Sequence, residues 1–326
     1  MGQIGIDFED LKESLQEIGE KNLIACFEPQ EILQMCKNLG VKGELEDKIK
    51  EYILSEKGHI GGRSQDVHTM SLLFGSFFGK DLTYHHLNIM KSLQGFEVET
   101  LLVDKALDKP KEINDLDMRA IAGRIIYSAM TNKFFNSLAK LSLSEDKKFL
   151  AIQEWNKTLG HIYSGQGLDV IYGKNGQFLK LGDYLHMIKE STAKFIQLSL
   201  LLGALISDKN EKEVEQIKNY GVNLGIGFQI RDDFYDFEND IYEGKKRIFV
   251  TKEALRRLKQ EDRYFIYNNY QKNPSRCIEL IKNSEIPDFV KSVNNHYLDL
   301  AKIYLNSLGK DKCRKRLEEI AESLRI

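Results

Sequence analysis

Prolines are few, four in 326 residues, so little in the chain forces a helix to break. Strict alternation of apolar and polar residues between turn signals is missing as well, and no sheet is expected. Cysteine is scarce. Cys26, Cys36, Cys277 and Cys313 are widely scattered and form no CxxC pair, which argues against a zinc ribbon or a disulfide framework and fits a reduced, cytoplasmic setting. The longest largely apolar run, Leu198 to Ile206, is too short to span a bilayer. The opening MGQIGIDFEDLKESL is acidic and amphipathic, unlike a signal peptide, and Ile6 stands where a myristoylation motif wants Ser or Thr. Net charge is only −2, with local basic runs at Arg256-Arg257 and Lys312 to Arg316. These read as solvated helix faces, and nucleic acid is not an expected partner.

What the chain does have is apolar residues at three- and four-residue spacings, as in LKESLQEIGEKNLIACF and YLHMIKESTAKFIQLSLLLGALI. That period is helical. Breaks fall at Lys57 to Gly62, Asp108 to Asn114, Gly173 to Gly176, Ser207 to Asn210, Asp240 to Lys246 and Lys272 to Ser275, none long enough to be a linker. With no repeat and no low-complexity tract, the expectation is one all-α domain over residues 1–326.

The densest chemistry is in GFQIRDDFYDFEND, Gly227 to Asp240, where five carboxylates share fourteen residues with Phe228, Ile230, Phe234, Tyr235 and Phe237. On a helix Asp232 and Asp236 stack one turn apart with Asp233 beside them. The bland reading is a solvated acidic face. The apolar flanks leave little room for one, and a buried carboxylate needs a partner. Convergent carboxylate oxygens suit Mg²⁺, which binds through one or two carboxylates and keeps water and phosphate oxygens as its other ligands. A second acidic set is ETLLVDKALDKP, where Asp104 and Asp108 project from one helix face. A third polar patch, GQGLDV, puts Gln166 and Asp169 three residues apart.

Together and in this order, from about Gly58 to Val250, these stretches resemble the trans-isoprenyl diphosphate synthases, or polyprenyl synthetases. FQIRDDFYD is similar to that family's second Asp-rich motif with its preceding Gln229. GQGLDV resembles its central polar patch, and NDIYEGKK the segment whose lysine, here Lys245, binds diphosphate. The resemblance implies a single large helical bundle around a central apolar cavity. It implies Mg²⁺ held by Asp104, Asp108, Asp232 and Asp236 over the diphosphate of an allylic prenyl substrate, with Gln229, Asp232 and Lys245 in the catalytic group. It also implies Arg63, Gln166, Thr192 and Lys245 as substrate contacts, and assembly as a homodimer or as a heteromer with a related synthase. Neutralising the diphosphate promotes its departure. An apolar cavity protects the resulting carbocation from water.

The departures from that family are specific. Lys105 stands where a second adjacent aspartate is usual, so it lowers the charge of the first motif and is able to salt-bridge Asp104 or Asp108. The family's GGKRxRP becomes GGRSQDV, leaving Arg63 but placing Ser64 and Asp66 where arginines bind isopentenyl diphosphate. Glu97 occupies a histidine position and would repel a second diphosphate. The double-arginine segment has no counterpart in DKPKEINDLD. Ser191 precedes Thr192 in place of a lysine, with Lys189 nearby, and the loop before NDIYEGKK is short. Three readings follow: catalysis on an allylic diphosphate without ordinary elongation, a non-catalytic subunit of a heteromeric synthase, or ordinary chain elongation.

Other residues take plainer readings. Trp155, Phe134 and Phe135 are expected in the core rather than on the cavity wall. The histidines show no ligand spacing. Tyr163 and Tyr235 are candidates to face a cation, though simple packing serves as well. Glu99 is expected near the cavity, where an unpaired carboxylate is costly; the resemblance gives no account of it.

Overall fold

A computed structural model describes residues 29–55, 73–78, 81–108, 113–174, 180–242, 249–309 and 311–326. Its helices are α1 (Pro29–Asn38), α2 (Glu44–Ser55), α3 (Tyr84–Asp108), α4 (Ile113–Ala139), α5 (Glu145–Lys174), α6 (Leu181–Ile188), α7 (Lys194–Ile206), α8 (Glu211–Tyr242), α9 (Phe249–Arg257), α10 (Gln260–Asn269), α11 (Pro274–Lys282), α12 (Ile286–Leu305) and α13 (Lys312–Ser323). A five-residue π-helical turn, Lys189–Ala193, joins α6 to α7. No strand occurs among the described residues, as the missing alternation implied. No described helix is long and apolar enough to cross a membrane.

The long helices pack chiefly as the pairs α3 with α4 and α8 with α7 and α12. Trp155 lies fully buried between them, stacked on Phe134 at 4.4 Å with its indole N–H donating to Thr131 at 3.0 Å. Phe96 completes this aromatic centre at 5.0 Å, and such ring pairs add about 0.5–1.5 kcal/mol each beyond their burial. These aromatics are core, as expected. A second apolar cluster joins the C-terminal half of α8 to α9, α11 and α12, through Phe237, Ile241, Phe249, Ile278 and Val290.

Local chemistry sets several helix ends. Asn273 caps α11 by accepting from the Arg276 amide, with Pro274 in the first turn, and Asp311 accepts from the Arg314 amide at 2.8 Å to start α13. Between α7 and α8, Asp208 turns the chain at φ 62°, a conformation that Asp tolerates better than most residues, and its carboxylate takes the Lys147 ammonium.

The helix carrying the acidic stretch runs to Tyr242, within the break expected from Asp240 to Lys246, and Ile241 is buried in the second cluster. One expectation needs correction. The basic runs are not simply solvated. Arg316 is 8% exposed and donates to the Ser76 carbonyl at 2.8 Å. Arg257 lies 3.5 Å over the Phe289 ring while bonding Glu253 at 2.8 Å. The long apolar stem of arginine permits the burial of Arg316, whose guanidinium finds a partner, while Arg256 and Arg257 stay exposed.

Candidate active site

Backbone approach fixes where the polar groups meet. A Cβ at Gly225 of α8 would fall 2.4 Å from the Ala193 Cα, and one at Gly165 of α5 would fall 2.7 Å from the Ser191 nitrogen. Only glycine allows those contacts. Two helices therefore press directly on the π-helical turn. The extra residue of that turn is accompanied by Ser191 bonding back to the Met187 carbonyl at 3.0 Å, a bond that bends helices. Glu190 of the same turn holds His161 of α5 at 2.6 Å.

The turn aims Thr192 at α8. The Thr192 hydroxyl donates to Gln229 Oε1 at 2.5 Å, Gln229 Nε2 donates to Asp233 Oδ1 at 2.9 Å, and the Tyr184 hydroxyl donates to Asp233 Oδ2 at 2.6 Å. Both oxygens of Asp233 are thus engaged by protein donors. Tyr184 is itself fixed by stacking on Phe249 at 4.4 Å. Burial pushes the Asp233 carboxyl up to about 6, against the two hydrogen bonds, and the charges of Asp240 and Asp169 push the same way. Burial together with Asp233 and Asp232 holds the Tyr184 phenol well above its ordinary range. Asp169 on α5 and Asp232 and Asp240 on α8 are therefore neighbours of one acidic face.

On the opposite wall, Gln166 Nε2 donates to the Thr100 carbonyl of α3 at 3.3 Å, and its Oε1 is buried without a hydrogen-bond partner. One turn earlier on α5, the Tyr163 hydroxyl donates to Oε1 of the fully buried Glu99. Burial raises the Glu99 carboxyl to about 7, opposed by Tyr163 and by Arg124 of α4. The Gln166 and Tyr163 contacts bring the C-terminal part of α3 beside that of α5, while Asp169 brings α5 beside α8.

Against the sequence expectations, Gln229 and Thr192 meet each other and Asp233, and Asp232 belongs to the same face. Asp236, partly buried, lies one turn beyond Asp232. Gln166 sits across from them against α3. Asp104 and Asp108 lie one turn apart at the C-terminal end of α3, but their side chains, and those of Lys105, are outside the described residues. So are Arg63, Ser64, Asp66 and Lys245. Lys189 is exposed at the start of the π-helical turn. Tyr235 is 44% exposed, with Arg231 5.1 Å from its ring, which removes it as an interior cation-facing aromatic. Sequence reasoning missed Tyr184, for which no motif spoke, and the central position of Asp233, for which its spacing of four from Gln229 was a usable signal.

Among the described residues no three acidic, histidine or cysteine side chains form a ready metal cluster. The donor chemistry nevertheless fits a hard cation at the face of α8, because Asp232 and Asp236 supply oxygen ligands one turn apart and Asp233 is occupied elsewhere. An open cavity of about 580 Å³ lies between the α1–α2 turn and α4, lined by Leu39, Val41, Leu45, Ile121, Arg124 and Ile125. It has no carboxylate and is not this site.

A family model described as polyprenyl synthetase matches residues 117–283. The chain is 28% identical over 182 residues to a short chain isoprenyl diphosphate synthase of Methanocaldococcus jannaschii, covering 52% of this chain and 50% of that protein. It is 24% identical over 214 residues to a geranylgeranyl pyrophosphate synthase of Geoglobus acetivorans, covering 63% and 65%. The matched stretch thus spans half to two thirds of these curated relatives. In structure it is similar to geranylgeranyl pyrophosphate synthetase from Pyrococcus horikoshii, with a TM-score of 0.72 at 20% identity over 97% of each chain. That likeness concerns the fold.

Proposed function

Because the chain belongs to the polyprenyl synthetase family, we propose that it acts on an allylic prenyl diphosphate by Mg²⁺-assisted departure of the diphosphate, with little ordinary chain elongation. The single observation that carries this reading is the relay from Thr192 through Gln229 to Asp233 and Tyr184. It ties the part of α8 that carries Asp232 and Asp236 to the π-helical turn and to α6.

In this reading Asp104, Asp108, Asp232 and Asp236 hold Mg²⁺, and the bound ion supplies the positive charge that makes diphosphate a competent leaving group. Asp233 positions rather than ligates, since both its oxygens already accept protein hydrogen bonds. Gln229 is fixed at both ends of its amide and keeps the spacing between the π-helical turn and α8. Lys245 and Arg63 are assigned to diphosphate oxygens. Buried aromatics around Trp155 and Phe96 keep water from the interior behind the site.

Limited elongation rests on Glu97, which is 6% exposed on α3 at a position where the family carries histidine, and on Ser191 in place of a lysine. A buried acid there disfavours a second diphosphate. The similarity to a short chain isoprenyl diphosphate synthase and a geranylgeranyl pyrophosphate synthase favours elongation instead. The same acidic substitutions favour a third role, a subunit that assembles with an active synthase and lacks activity of its own. We place the protein in the cytoplasm, as a single domain acting as a homodimer or in a heteromer with a related synthase.

The test is to incubate the purified chain with Mg²⁺ and geranyl, farnesyl or geranylgeranyl diphosphate, with and without radiolabelled isopentenyl diphosphate. Release of inorganic diphosphate without longer products supports the proposal. Robust elongation would return the chain to the ordinary synthases. No release, with a changed product from a co-purifying synthase, would make it a subunit.

A further inference from the structure

Glu99 is a carboxyl for which the diphosphate chemistry has no use. It is fully buried, yet it lies only five residues before Asp104 on α3, about 7.5 Å along the helix axis at 1.5 Å per residue. Under the proposed function, with Asp104 at the diphosphate end, this sets Glu99 toward the hydrocarbon part of the substrate. One of its oxygens accepts the Tyr163 hydroxyl, and the other, Oε2, has no hydrogen-bond partner. Gln166 stands one turn along α5 from Tyr163, and its Nε2 must point at the Thr100 carbonyl, since a carbonyl only accepts; its Oε1 is therefore a second buried oxygen with nothing to accept from. Gly123 of α4 packs on the Glu99 stem, where an added Cβ would sit 3.4 Å from Cγ.

Two neighbouring buried acceptors without donors are expensive for a fold to keep. A hydrogen-bonded pair or an apolar pair would be cheaper. Their complement is a positively charged or proton-donating group that enters with a ligand. We propose that Glu99, held by Tyr163 and flanked by Gln166 Oε1, is the base that takes a proton from the allylic carbocation and ends the reaction as an olefin. This deepens the proposed function and rests on it. The allylic C–O bond breaks and its electron pair leaves with diphosphate. A C–H bond adjacent to the cation then breaks, its proton going to Glu99 Oε2 and its electron pair forming a new C=C bond. Glu99 is left as a neutral acid that returns its proton to solvent after product release. Tyr163 is a positioning residue, because its hydroxyl occupies Oε1 and leaves Oε2 for the substrate. A carboxyl raised to about 7 by burial is also well matched to accept a proton near neutrality.

The decisive experiment compares the native chain, Glu99→Gln and Tyr163→Phe with Mg²⁺ and geranyl, farnesyl or geranylgeranyl diphosphate, measuring inorganic diphosphate and the olefin-to-alcohol ratio by gas chromatography and mass spectrometry. Glu99→Gln is expected to lower that ratio by about 10²-fold or more, the usual contribution of a general base, while total diphosphate release falls far less. Tyr163→Phe removes the hydrogen bond that favours the carboxylate, so the acidic limb of the olefin ratio should move to higher pH, with Arg124 and Tyr127 of α4 the remaining ionisable groups facing Glu99. If Glu99→Gln fails to fold, that shift decides the matter alone. Release with an unchanged ratio in Glu99→Gln, an unmoved limb in Tyr163→Phe, or alcohol as the only native product overturns this inference and leaves the proposed function standing. No diphosphate release by the native chain overturns both.

Discussion

The two walls of the candidate site treat buried polar groups in opposite ways. On α8, Asp233 receives a donor at each oxygen and Gln229 is bonded at both ends of its amide. On α3 and α5, Glu99 and Gln166 each make one hydrogen bond and leave one buried oxygen with nothing to accept from. Gln94, fully buried deeper in α3, makes no side-chain hydrogen bond at all. A complete network specifies geometry, whereas incomplete ones cost stability and persist where a ligand supplies the missing partner. The first wall is built to hold something in place. The second is built to receive something.

The comparison breaks most visibly if the α8 face is not the diphosphate end. Asp232→Ala is expected to lower the rate of diphosphate release by about 10²–10³-fold, the scale of losing one preorganised electrostatic contact, and to abolish Mg²⁺-dependent binding of an allylic diphosphate in isothermal titration. Equal affinity with and without Mg²⁺ in both proteins would remove the assignment.

Next in size is a pH effect that belongs to the second wall. Glu99 is raised from 4.5 to about 7 in the folded protein, so the folded state binds the proton more tightly than the unfolded one. Stability is therefore highest below pH 4.5 with respect to this group and falls as pH rises toward 7, by about 3 kcal/mol at 1.36 kcal/mol per unit. Asp233, raised from 3.8 to about 6, acts in the same direction over a lower window. Urea melts from pH 4 to 8 should show Glu99→Gln removing the upper part of this decline, and a parallel pair of curves would show that Glu99 does not titrate there.

Asp233→Ala should cost about 2 kcal/mol, because the Tyr184 hydroxyl and the Gln229 amide lose their acceptor inside the fold. A urea midpoint that does not move would mean that the α8 network is no better satisfied than its counterpart. The smallest effect is expected from Thr192→Val, which keeps the shape and loses one hydrogen bond worth about 1 kcal/mol. Its sharper readout is catalytic, since a loosened Gln229 would change kcat more than KM.

How much of this was legible beforehand differs by residue. The acidic row of α8 and the pair Gln166 and Asp169 stood out because the helical period alone puts them on shared faces. Trp155 and Phe134 were legible as core from their spacing among apolar residues. Arg316 was not, because its burial depends on the Ser76 carbonyl, 240 residues away. Tyr235 faces outward although its neighbours Phe234 and Phe237 pack inward. Glu99 gave only a warning of cost, and its partner lay 64 residues further on, in another helix.

The sequence by itself determined that the chain is helical, that its carboxylates share the faces of particular helices, and that it belongs with proteins arranged in the same order, since all three depend on local period and on motif order. Tertiary structure alone decided that Asp233 is engaged at both oxygens and that Glu99 is engaged at one. That depends on approaches such as Gly225 against Ala193 and Gly165 against Ser191, where the absence of a side chain in one helix sets the reach of a side chain in another.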